Sequence, residues 1–448
     1  MKNKSVLKNI LKSSRRALSV AVALFLVLGI FALTPVTASA ATVGSQLDFT
    51  GMPTTSTPGD GWEWDSDTKT LTLNGFDMNT TFTAGNNVGA ILLPAGSTII
   101  LQGTNSVTCT NYTSGVYCAG NLEIQGPGEL SINSDKHGID IDTGSFTLSS
   151  GTLKIDASED GLFIDFMVAV TGGNLNIQAG EKGINVDNVN ITGGTINISA
   201  GDFGLYVYEG AEYDQGNFTI SGGYLTIIAQ AYSGIYATYV TINEGTVDIL
   251  SKGEGGIFAR YGKVTINGGS IIIRAEGNGI ESFMGTQEEG EGRVTINGGL
   301  IDILSGKYGV FASYDFVLTG GTGTIRSIGV GADNWAVIIN STDTITVAND
   351  IIVKGWDGTD YTIEASGGEF EDSELLTFLD AATMAIPMTG IRFGPEDDDE
   401  DDAGTGSSAN GVPQTGDSSG FLPGAIVLIA IIGGLCAMVV LRRRFIDG

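Results

Sequence analysis

Histidine, cysteine and basic residues are all scarce in this chain, and each scarcity excludes a class of protein. The 448 residues include one histidine and three cysteines. Any zinc site or histidine-dependent catalytic triad would have to use His137 alone. Since no second ligand or nucleophile lies near it in the sequence, we interpret it as a turn residue. Three cysteines are too few for a disulfide scaffold. Cys109 and Cys118 are interpreted as two small buried residues, with a disulfide as the alternative.

The excess of acidic residues excludes further partners. Asp and Glu number 51 against 22 Lys and Arg, which gives a formal net charge of −29. Nothing in such a chain would neutralise phosphates, so nucleic acid and anionic membrane surfaces are excluded as partners. The charge suits a divalent cation, or a soluble surface protein that repels its own copies. The most acidic run, residues 396–402, is interpreted as an extended, solvated spacer.

Glycine, by contrast, is abundant, with 67 residues, and many glycines belong to a repeat that covers residues 122–321. The clearest copies, at 264–269 and 294–299, both read Val-Thr-Ile-Asn-Gly-Gly. Copies recur about every 23 residues, and each contains three short runs in which apolar and polar residues alternate. Three short strands at this period are typical of a parallel β-helix, in which glycine pairs form the tight corners.

The predicted fold is therefore all-β: a right-handed parallel β-helix solenoid of about ten coils, with a cap at each end. Residues 96–340 are assigned to the solenoid. Residues 41–95 are assigned to an N-terminal cap with a hairpin, and residues 341–394 to a C-terminal cap. We expect Ile and Val at alternate positions of each strand to form one continuous core, because a single coil cannot bury its own apolar face.

The caps are expected to cover the core and the strand edge that a terminal coil would otherwise expose. Trp62 and Trp64 are interpreted as cap residues, with a sugar platform as the alternative, because large aromatic side chains usually bury area. Residues 371–382 are predicted to form a short amphipathic helix that covers the last coil.

The N-terminus carries a targeting signal. Residues 1–40 contain six basic residues, then an apolar stretch, and end in Ala38-Ser39-Ala40. This order is typical of a secretory signal peptide that is cleaved after export, and a permanent N-terminal anchor is the alternative.

The C-terminus resembles the cell-wall sorting signal of Gram-positive surface proteins, with its Leu-Pro-x-Thr-Gly motif. An acidic linker and the sorting motif occupy residues 395–415, and residues 416–448 hold the apolar run 421–441 and then three arginines. The motif residues are Val412, Pro413, Gln414, Thr415 and Gly416. The run is long enough to span a bilayer as a helix. The resemblance implies cleavage by a sortase after Thr415 and attachment of Thr415 to peptidoglycan at the cell surface. Valine replaces the leucine of the family's motif, so the class of sortase stays open, and a plain single-pass membrane protein is the alternative.

The outward column of the third strand is rich in aromatic residues. Its members, one per coil, are Tyr117, Asp140, Phe163, Asn185, Tyr206, Tyr236, Phe258, Glu281 and Phe311. Coils repeat at about 4.8 Å, which is comparable to the monosaccharide repeat of an extended polysaccharide. We expect these rings to be exposed and to stack on sugars, and the predicted glycan-binding residues are Phe163, Tyr206, Tyr236, Phe258 and Phe311. Stacking between strands that only stabilises the sheet is the alternative.

Carboxylates follow the third strand in consecutive coils. They are Asp142, Asp165, Asp187 and Glu209, and they suggest calcium ligands, because stacked like charges repel unless a cation screens them. A solvated acidic face is the alternative. Two insertions, at 208–216 and 283–292, leave from the same edge and are expected to wall a groove.

Several features together resemble the carbohydrate-binding-domain surface proteins of Gram-positive anaerobes. They are Trp62-Glu63-Trp64-Asp65, the Thr-Leu-Thr-Leu run after it, and the Thr-Ile-Asn-Gly-Gly coils. The resemblance covers residues 60–330, and some relatives are calcium-containing β-helices that bind cellulose or acidic pectin. It implies a wall-anchored, non-catalytic polysaccharide-binding protein. The alternatives are a pectin-active lyase or hydrolase, for which Lys154 and Arg274 are outward candidate bases, and a protein-binding adhesin.

Overall fold

The structure, a computed structural model, describes ten stretches of the chain within one compact unit, residues 39–398. The stretches are 46–51, 57–58, 60–81, 88–207, 216–283, 290–328, 335–339, 344–356, 361–371 and 390–395. The predicted signal peptide, sorting motif and membrane span lie outside these residues. Within them, no helix is long and apolar enough to cross a membrane.

The described residues form a parallel β-solenoid of about ten coils, with no helix among them. Each coil contributes three strands, and each strand pairs in parallel with the equivalent strands of the coils before and after it. Val264, for example, lies between Val240 of the preceding coil and Val294 of the following coil. The predicted all-β solenoid is confirmed, and its right-handed sense stays a prediction.

The three strands of each coil stack into three faces. Face one contains Thr70–Asn74, Ser97–Gln102, Leu122–Gln125, Ser145–Leu148, Met167–Val170, Asn188–Ile191, Val264–Ile266, Val294–Ile296 and Phe316–Leu318. Face two contains Asp77–Thr81, Thr104–Thr110, Glu129–Ser134, Thr152–Ala157, Asn174–Ala179, Thr195–Ala200, Ser270–Ala275, Leu300–Ser305 and Thr322–Ser327. Two strands, Asn217–Ala229 and Tyr239–Ser251, run through both of these faces. Face three is a separate 12-stranded sheet of Leu47–Asp48, Gly89–Leu93, Ser114–Cys118, Ile139–Ile141, Leu162–Ile164, Ile184–Val186, Leu205–Val207, Ile235–Ala237, Gly255–Arg260, Asn278–Phe283, Val310–Ala312 and Val337–Ile339.

Alternate residues of every strand point into the solenoid and stack in columns. On face three, Ile257 pairs with Ile235 and Ile280, and all three side chains are fully buried. Burying one such side chain contributes about 1.5–3 kcal/mol. Since each coil supplies the partners of the next, the core is continuous along the axis, as predicted.

Glycines occupy the corners for two physical reasons. Between faces one and two, the second glycine of each Gly-Gly pair has a positive φ, for example 86° at Gly269 and 94° at Gly299, which other residues rarely adopt. Between faces two and three the reason is space. A Cβ added to Gly204 would lie 2.2 Å from Cγ2 of Ile227 and 2.5 Å from the carbonyl oxygen of Gly234. The coils therefore approach each other too closely for a side chain there.

The N-terminal cap contains the predicted hairpin. Trp62–Asp65 pairs antiparallel with Thr70–Asn74 and with Thr57–Pro58. Trp64 is fully buried and packs on Phe49, as expected of a cap residue. Thr70–Asn74 also pairs in parallel with Ser97–Gln102, so the parallel stacking already begins within the segment that we assigned to the cap.

The C-terminal end changes from parallel to antiparallel pairing. Thr344–Trp356 continues face one through residues 345–347, and on its other side it pairs antiparallel with Tyr361–Glu371 from Thr344 onward. Its later residues, 351–355, also pair antiparallel with Gly390–Pro395. Gly390–Pro395 also covers the last strand of face two in antiparallel sense. Glu371, the first residue of the predicted amphipathic helix, ends a strand instead, and residues 372–382 lie outside the described residues.

The two cysteines in the early coils are separate thiols. Cys109 and Cys118 are both buried and free. Each Sγ contacts a backbone carbonyl oxygen, that of Thr113 at 3.4 Å and that of Pro94 at 3.4 Å. Burial raises the pKa of Cys109 to about 12, so this thiol stays protonated at neutral pH.

Candidate functional site

The outward column of face three has the register that the sequence predicts. Tyr117 pairs with Asp140, Asp140 with Phe163, and Phe163 with Asn185. The later members continue the column without a shift, from Asn185 through Glu281 to Phe311. The strand period alone therefore places these side chains correctly on one face.

The rings of the later coils stack mainly on each other. Tyr206 and Tyr236 have ring centroids 5.0 Å apart with 12° between their planes, and Tyr236 and Phe258 are 5.4 Å apart with 23°. Phe283 continues the series at 6.4 Å from Phe258 and 6.2 Å from Phe311. The expectation that all of these rings are exposed is wrong for Tyr236, of which only 7% is accessible. Its two faces are covered by Tyr206 and Phe258, because the coil spacing matches the stacking distance of aromatic rings.

Sequence reasoning missed a second set of rings that borders this column. Phe203 stacks on Tyr232 at 4.7 Å and also meets the ring of Tyr236 at 5.5 Å. Tyr308 lies beside Phe311 at 5.9 Å. Phe203, Tyr232 and Tyr308 all lie in the turn that precedes a third strand. Their common offset, three or four residues before the outward column, was the signal that could have identified them.

Well-exposed rings on this face include Phe163, Tyr232 and Phe283, and Tyr112 and Phe166 lie in turns that border it. Phe163 is 40% accessible, Tyr232 40% and Phe283 39%. Tyr232 and Phe283 lie beside the outward column, whereas Phe163 belongs to it. The aromatic surface offered to a ligand is therefore formed by these exposed rings. Tyr232 and Phe283 lie beside the ladder of stacked rings formed by Tyr206, Tyr236 and Phe258, whereas Phe163 lies apart from it.

An arginine fixes the middle of the ladder. Nη1 of Arg260 donates to the hydroxyl of Tyr236 at 3.2 Å, and Nη2 donates to the hydroxyl of Tyr261 at 3.0 Å. These contacts raise the pKa of Arg260, which stays charged. The guanidinium also lies over the ring of Tyr261, 4.9 Å from its centroid.

The earlier coils of face three are polar and acidic. The hydroxyl of Tyr117 donates to Oδ2 of Asp142 at 2.6 Å, and this bond raises the pKa of Tyr117 to about 12. A shallow concavity of about 180 Å³ lies along this edge. Its lining residues are Ile141, Asp142, Phe163, Ile164, Asp165, Asn185, Val186 and Asp187. Three of the four predicted calcium ligands therefore share one depression beside the exposed Phe163.

The described residues contain no cluster of side chains that is arranged as a metal site. No group of three or more His, Cys, Asp or Glu side chains in the described stretches is arranged to hold a metal ion. Glu209, the fourth predicted ligand, lies outside the described residues, as do 208–215 and 284–289 of the two insertions. The calcium site and the groove walls stay predictions.

His137 and Asp140 form a buried polar cluster next to Phe163. The imidazole stacks on the Phe163 ring at 4.7 Å, and its Nε2 lies 3.7 Å from Oε2 of Glu159. Oδ2 of Asp140 accepts from the Ser114 hydroxyl at 3.1 Å. Nδ1 of His137 and Oδ1 of Asp140 are buried and have no hydrogen-bond partner. Burial lowers the pKa of His137 and raises the pKa of Asp140. His137 lies in a turn, as predicted, but is more buried than a turn position suggests.

The next coil holds a second buried carboxylate, Asp160. Its Oδ1 accepts from the backbone N–H of Lys182 at 3.0 Å, and its Oδ2 accepts from Nδ2 of Asn185 at 2.9 Å. Nζ of Lys182 lies 3.8 Å from Oδ1 of Asp160 and 5.7 Å from the centroid of the Tyr206 ring. Lys182 therefore joins the polar coils to the first ring of the aromatic ladder.

The two outward bases considered for lyase chemistry lie on face two, away from this column. Nζ of Lys154 contacts Oε1 of Glu129 at 2.7 Å. Arg274 forms an ion pair with Asp302 and donates to the carbonyl oxygen of the same residue at 2.9 Å. Both cations already pair with a carboxylate, which disfavours a role as catalytic base.

The fold and this face define a class of protein: a parallel β-solenoid that presents one long aromatic and acidic face. The sequence model of one family, described as carbohydrate-binding domain-containing protein, matches residues 63–255 and 209–374. The two matches together cover more than half of the chain, and the chain belongs to this family. No curated protein matches the chain, and no solved structure does. The family supports a polysaccharide-binding role, in agreement with the resemblance seen in the sequence.

Proposed function

We propose that the protein is a non-catalytic polysaccharide-binding protein and that the glycan lies along face three, parallel to the solenoid axis. The observation that carries the proposal is the exposure of Phe163, Tyr232 and Phe283 on one face, where Phe163 stacks on His137 and the other two rings lie beside the ladder of stacked rings. An exposed apolar strip on a soluble protein favours a partner, and flat rings suit the C–H faces of sugars. By the coil spacing, Phe163 and Tyr232 are about 14 Å apart along the axis, so one extended chain would contact both.

The stacked rings have a supporting role in this proposal. Tyr236 is buried between its neighbours and cannot offer a ring face to a sugar. Tyr206, Phe258 and Phe311 are partly exposed and contribute ring edges. They also order the exposed rings before a ligand arrives, which reduces the entropic cost of binding.

The protein is further proposed to act at the cell surface of a Gram-positive bacterium. The motifs that support this are the export signal in residues 1–40, the motif that ends at Thr415 and Gly416, and the apolar run 421–441 with its arginines. The acidic residues of the linker would then repel each other and extend the solenoid away from the wall.

The test is a pull-down on insoluble polysaccharides. We compare the parent with a Phe163→Ala/Tyr232→Ala/Phe283→Ala variant on cellulose and on pectin, in calcium and in chelator. If each ring contributes on the order of 1 kcal/mol, the variant should bind roughly a hundredfold more weakly. Tyr224→Ala is the matched control, because this ring is 61% exposed but begins a face-two segment.

Retention of the triple variant at the parent level would contradict the proposed face. The chelator arm tests the calcium prediction at Asp142, Asp165, Asp187 and Glu209 separately. Equal binding with and without calcium would show that the ion is not needed for binding. It would not contradict the role of the exposed rings.

A further inference from the structure

The early coils of face three are bordered by two rows of carboxylates. On the edge after the third strand, the N–H of Asp187 donates to the carbonyl oxygen of Asp165 at 3.3 Å. On the edge before the third strand, Glu181 donates in the same way to Glu159 at 3.1 Å, and Asp202 to Glu181 at 2.8 Å. Backbone hydrogen bonds from coil to coil therefore hold both rows in register. The rows flank the outward column from Asp140 to Tyr206, and all six side chains are partly or fully exposed. The six are Asp142, Asp165, Asp187, Glu159, Glu181 and Asp202.

The floor between the rows offers hydrogen-bond acceptors without partners. The side chain of Asp140 is 6% exposed and that of His137 is 10% exposed. Oδ1 of Asp140 and Nδ1 of His137 are both buried and unpartnered. Since Nε2 of His137 faces the Glu159 carboxylate, we assign the ring proton to Nε2, which leaves Nδ1 as an acceptor. Asp140 occupies the outward column, between Tyr117 and Phe163. Two buried acceptors without a protein donor are free to accept from a donor group that enters between the rows.

The basic residues between the rows are already paired. Nζ of Lys136 lies 3.6 Å from Oδ2 of Asp140, and Nζ of Lys182 lies 3.8 Å from Asp160. The rows carry six carboxylates, and among the described residues only two lysines lie between them. The surface of the early coils is therefore strongly negative. A polysaccharide that carries carboxylates would therefore be repelled here, because exposed like charges at the coil spacing disfavour each other.

We infer that the early coils of face three, from Asp140 to Tyr206, bind a polysaccharide whose sugars carry free amino groups. Ammonium groups donate to the rows and to the two acceptors, and their charge is opposite to that of the rows. Coils and sugars have comparable spacing, so successive amines meet successive carboxylates. Phe163 supplies a ring for stacking between the rows. The inference rests on the proposed function and specifies its ligand class.

The experiment compares two probes of equal length, one with free amino groups and one in which those groups are acetylated and therefore uncharged. The purified full-length protein, in mild detergent at about pH 6, is titrated with a β-linked glucosamine oligomer and with its fully N-acetylated counterpart of equal length. We expect the amine form to bind at least tenfold more tightly, with a preference that shrinks as salt is added. Asp165→Asn/Asp187→Asn should weaken amine binding roughly fivefold and leave the acetylated form unchanged.

The control variant is Asp156→Asn/Glu244→Gln, which removes the same charge from exposed positions outside face three. It should bind both probes as the parent does. Equal affinity for the amine and acetylated forms, tighter binding of polygalacturonate in calcium, or equal losses in the two variants would each overturn the inference. The proposed function would survive these results, because a glycan would still bind. If none of these glycans, cellulose included, binds the parent, the proposed function fails together with the inference.

Discussion

The imidazole of His137 lies parallel to the ring of Phe163, with the ring centroids 4.7 Å apart and 11° between the planes. The histidine belongs to the turn before one third strand, and the phenylalanine belongs to the third strand of the next coil. One exposed ring of the proposed binding face thus rests on a buried titratable group. The stability and the binding surface of these coils are therefore both coupled to pH.

Acidification should destabilise the solenoid through His137. Burial lowers its pKa below the ordinary value of 6.5, although Asp140, Asp160 and Glu159 act in the opposite direction. Just below pH 6.5 the unfolded chain therefore binds more protons here than the folded chain, so stability is lost as the pH falls. We expect the thermal unfolding midpoint to fall more steeply between about pH 7 and about pH 5 in the parent than in His137→Gln. Parallel profiles for the two proteins would contradict this account.

Mutation of Tyr236 should mainly lower stability, whereas mutation of Tyr232 should mainly weaken glycan binding. Tyr236→Ala removes a buried ring from between Tyr206 and Phe258 and should cost about 3–5 kcal/mol of stability. Tyr232→Ala removes an exposed ring and should cost less than about 1 kcal/mol while it weakens glycan binding. Denaturant titration and polysaccharide pull-down of both variants check this. A stable Tyr236→Ala protein would show that the ladder is not a structural support.

The corner glycines between faces two and three should not accept a methyl group. In Gly204→Ala the new Cβ would meet Cγ2 of Ile227 at 2.2 Å and the carbonyl oxygen of Gly234 at 2.5 Å. We expect a loss of about 2–3 kcal/mol, measured as a lower denaturant midpoint. Gly51→Ala is the control, because no atom lies within 4 Å of its added Cβ. An unchanged midpoint for Gly204→Ala would show that neighbouring coils can move apart.

Attachment to the wall should depend on Thr415. The sorting motif predicts that this residue forms the bond to peptidoglycan, so Thr415→Ala should move the protein from the wall fraction to the detergent-soluble membrane fraction. Fractionation of cells before and after detergent extraction measures this. The conservative change Val412→Leu restores the leucine of the family's motif and should leave attachment intact. A Thr415→Ala protein retained in the wall would mean that another mechanism holds it.

The fold could be predicted from the sequence because each coil of a solenoid repeats the same local sequence pattern. The period-two alternation assigned Val264 and Ile266 to the core, and both are fully buried. The glycine pairs assigned the corners, and Gly269 and Gly299 have the positive φ that such corners need. The C-terminal cap was less accessible, since the antiparallel pairing of Thr344–Trp356 with Tyr361–Glu371 follows no repeat of the sequence. Nothing repeats there, so local pattern had no neighbouring coil to confirm it.

Only part of the candidate site could be predicted from the sequence, for a related reason. Alternation correctly predicts that Tyr236 points outward from the core, but it carries no information about what covers an outward ring. That depends on whether the residues one coil away, here Tyr206 and Phe258, are also aromatic and stack face to face. Turn residues such as Tyr232 lie outside the alternation, and in the sequence only their common offset from the outward column marks them. The unpartnered Oδ1 of Asp140 likewise follows from packing between coils rather than from spacing along the chain.

The hydrogen bonds between coils also determine how the molecule responds to force. Bonds such as those from Asp202 to Glu181 and from Glu181 to Glu159 join successive coils, so they run along the solenoid axis. Tension applied between the two ends of the solenoid would act along the direction of these hydrogen bonds. The coils would then separate one at a time. Because each coil contacts only its neighbours, extension would be stepwise, with each step releasing about one repeat of chain. Under such tension the end coil would be lost first, while the remaining coils would keep their shape.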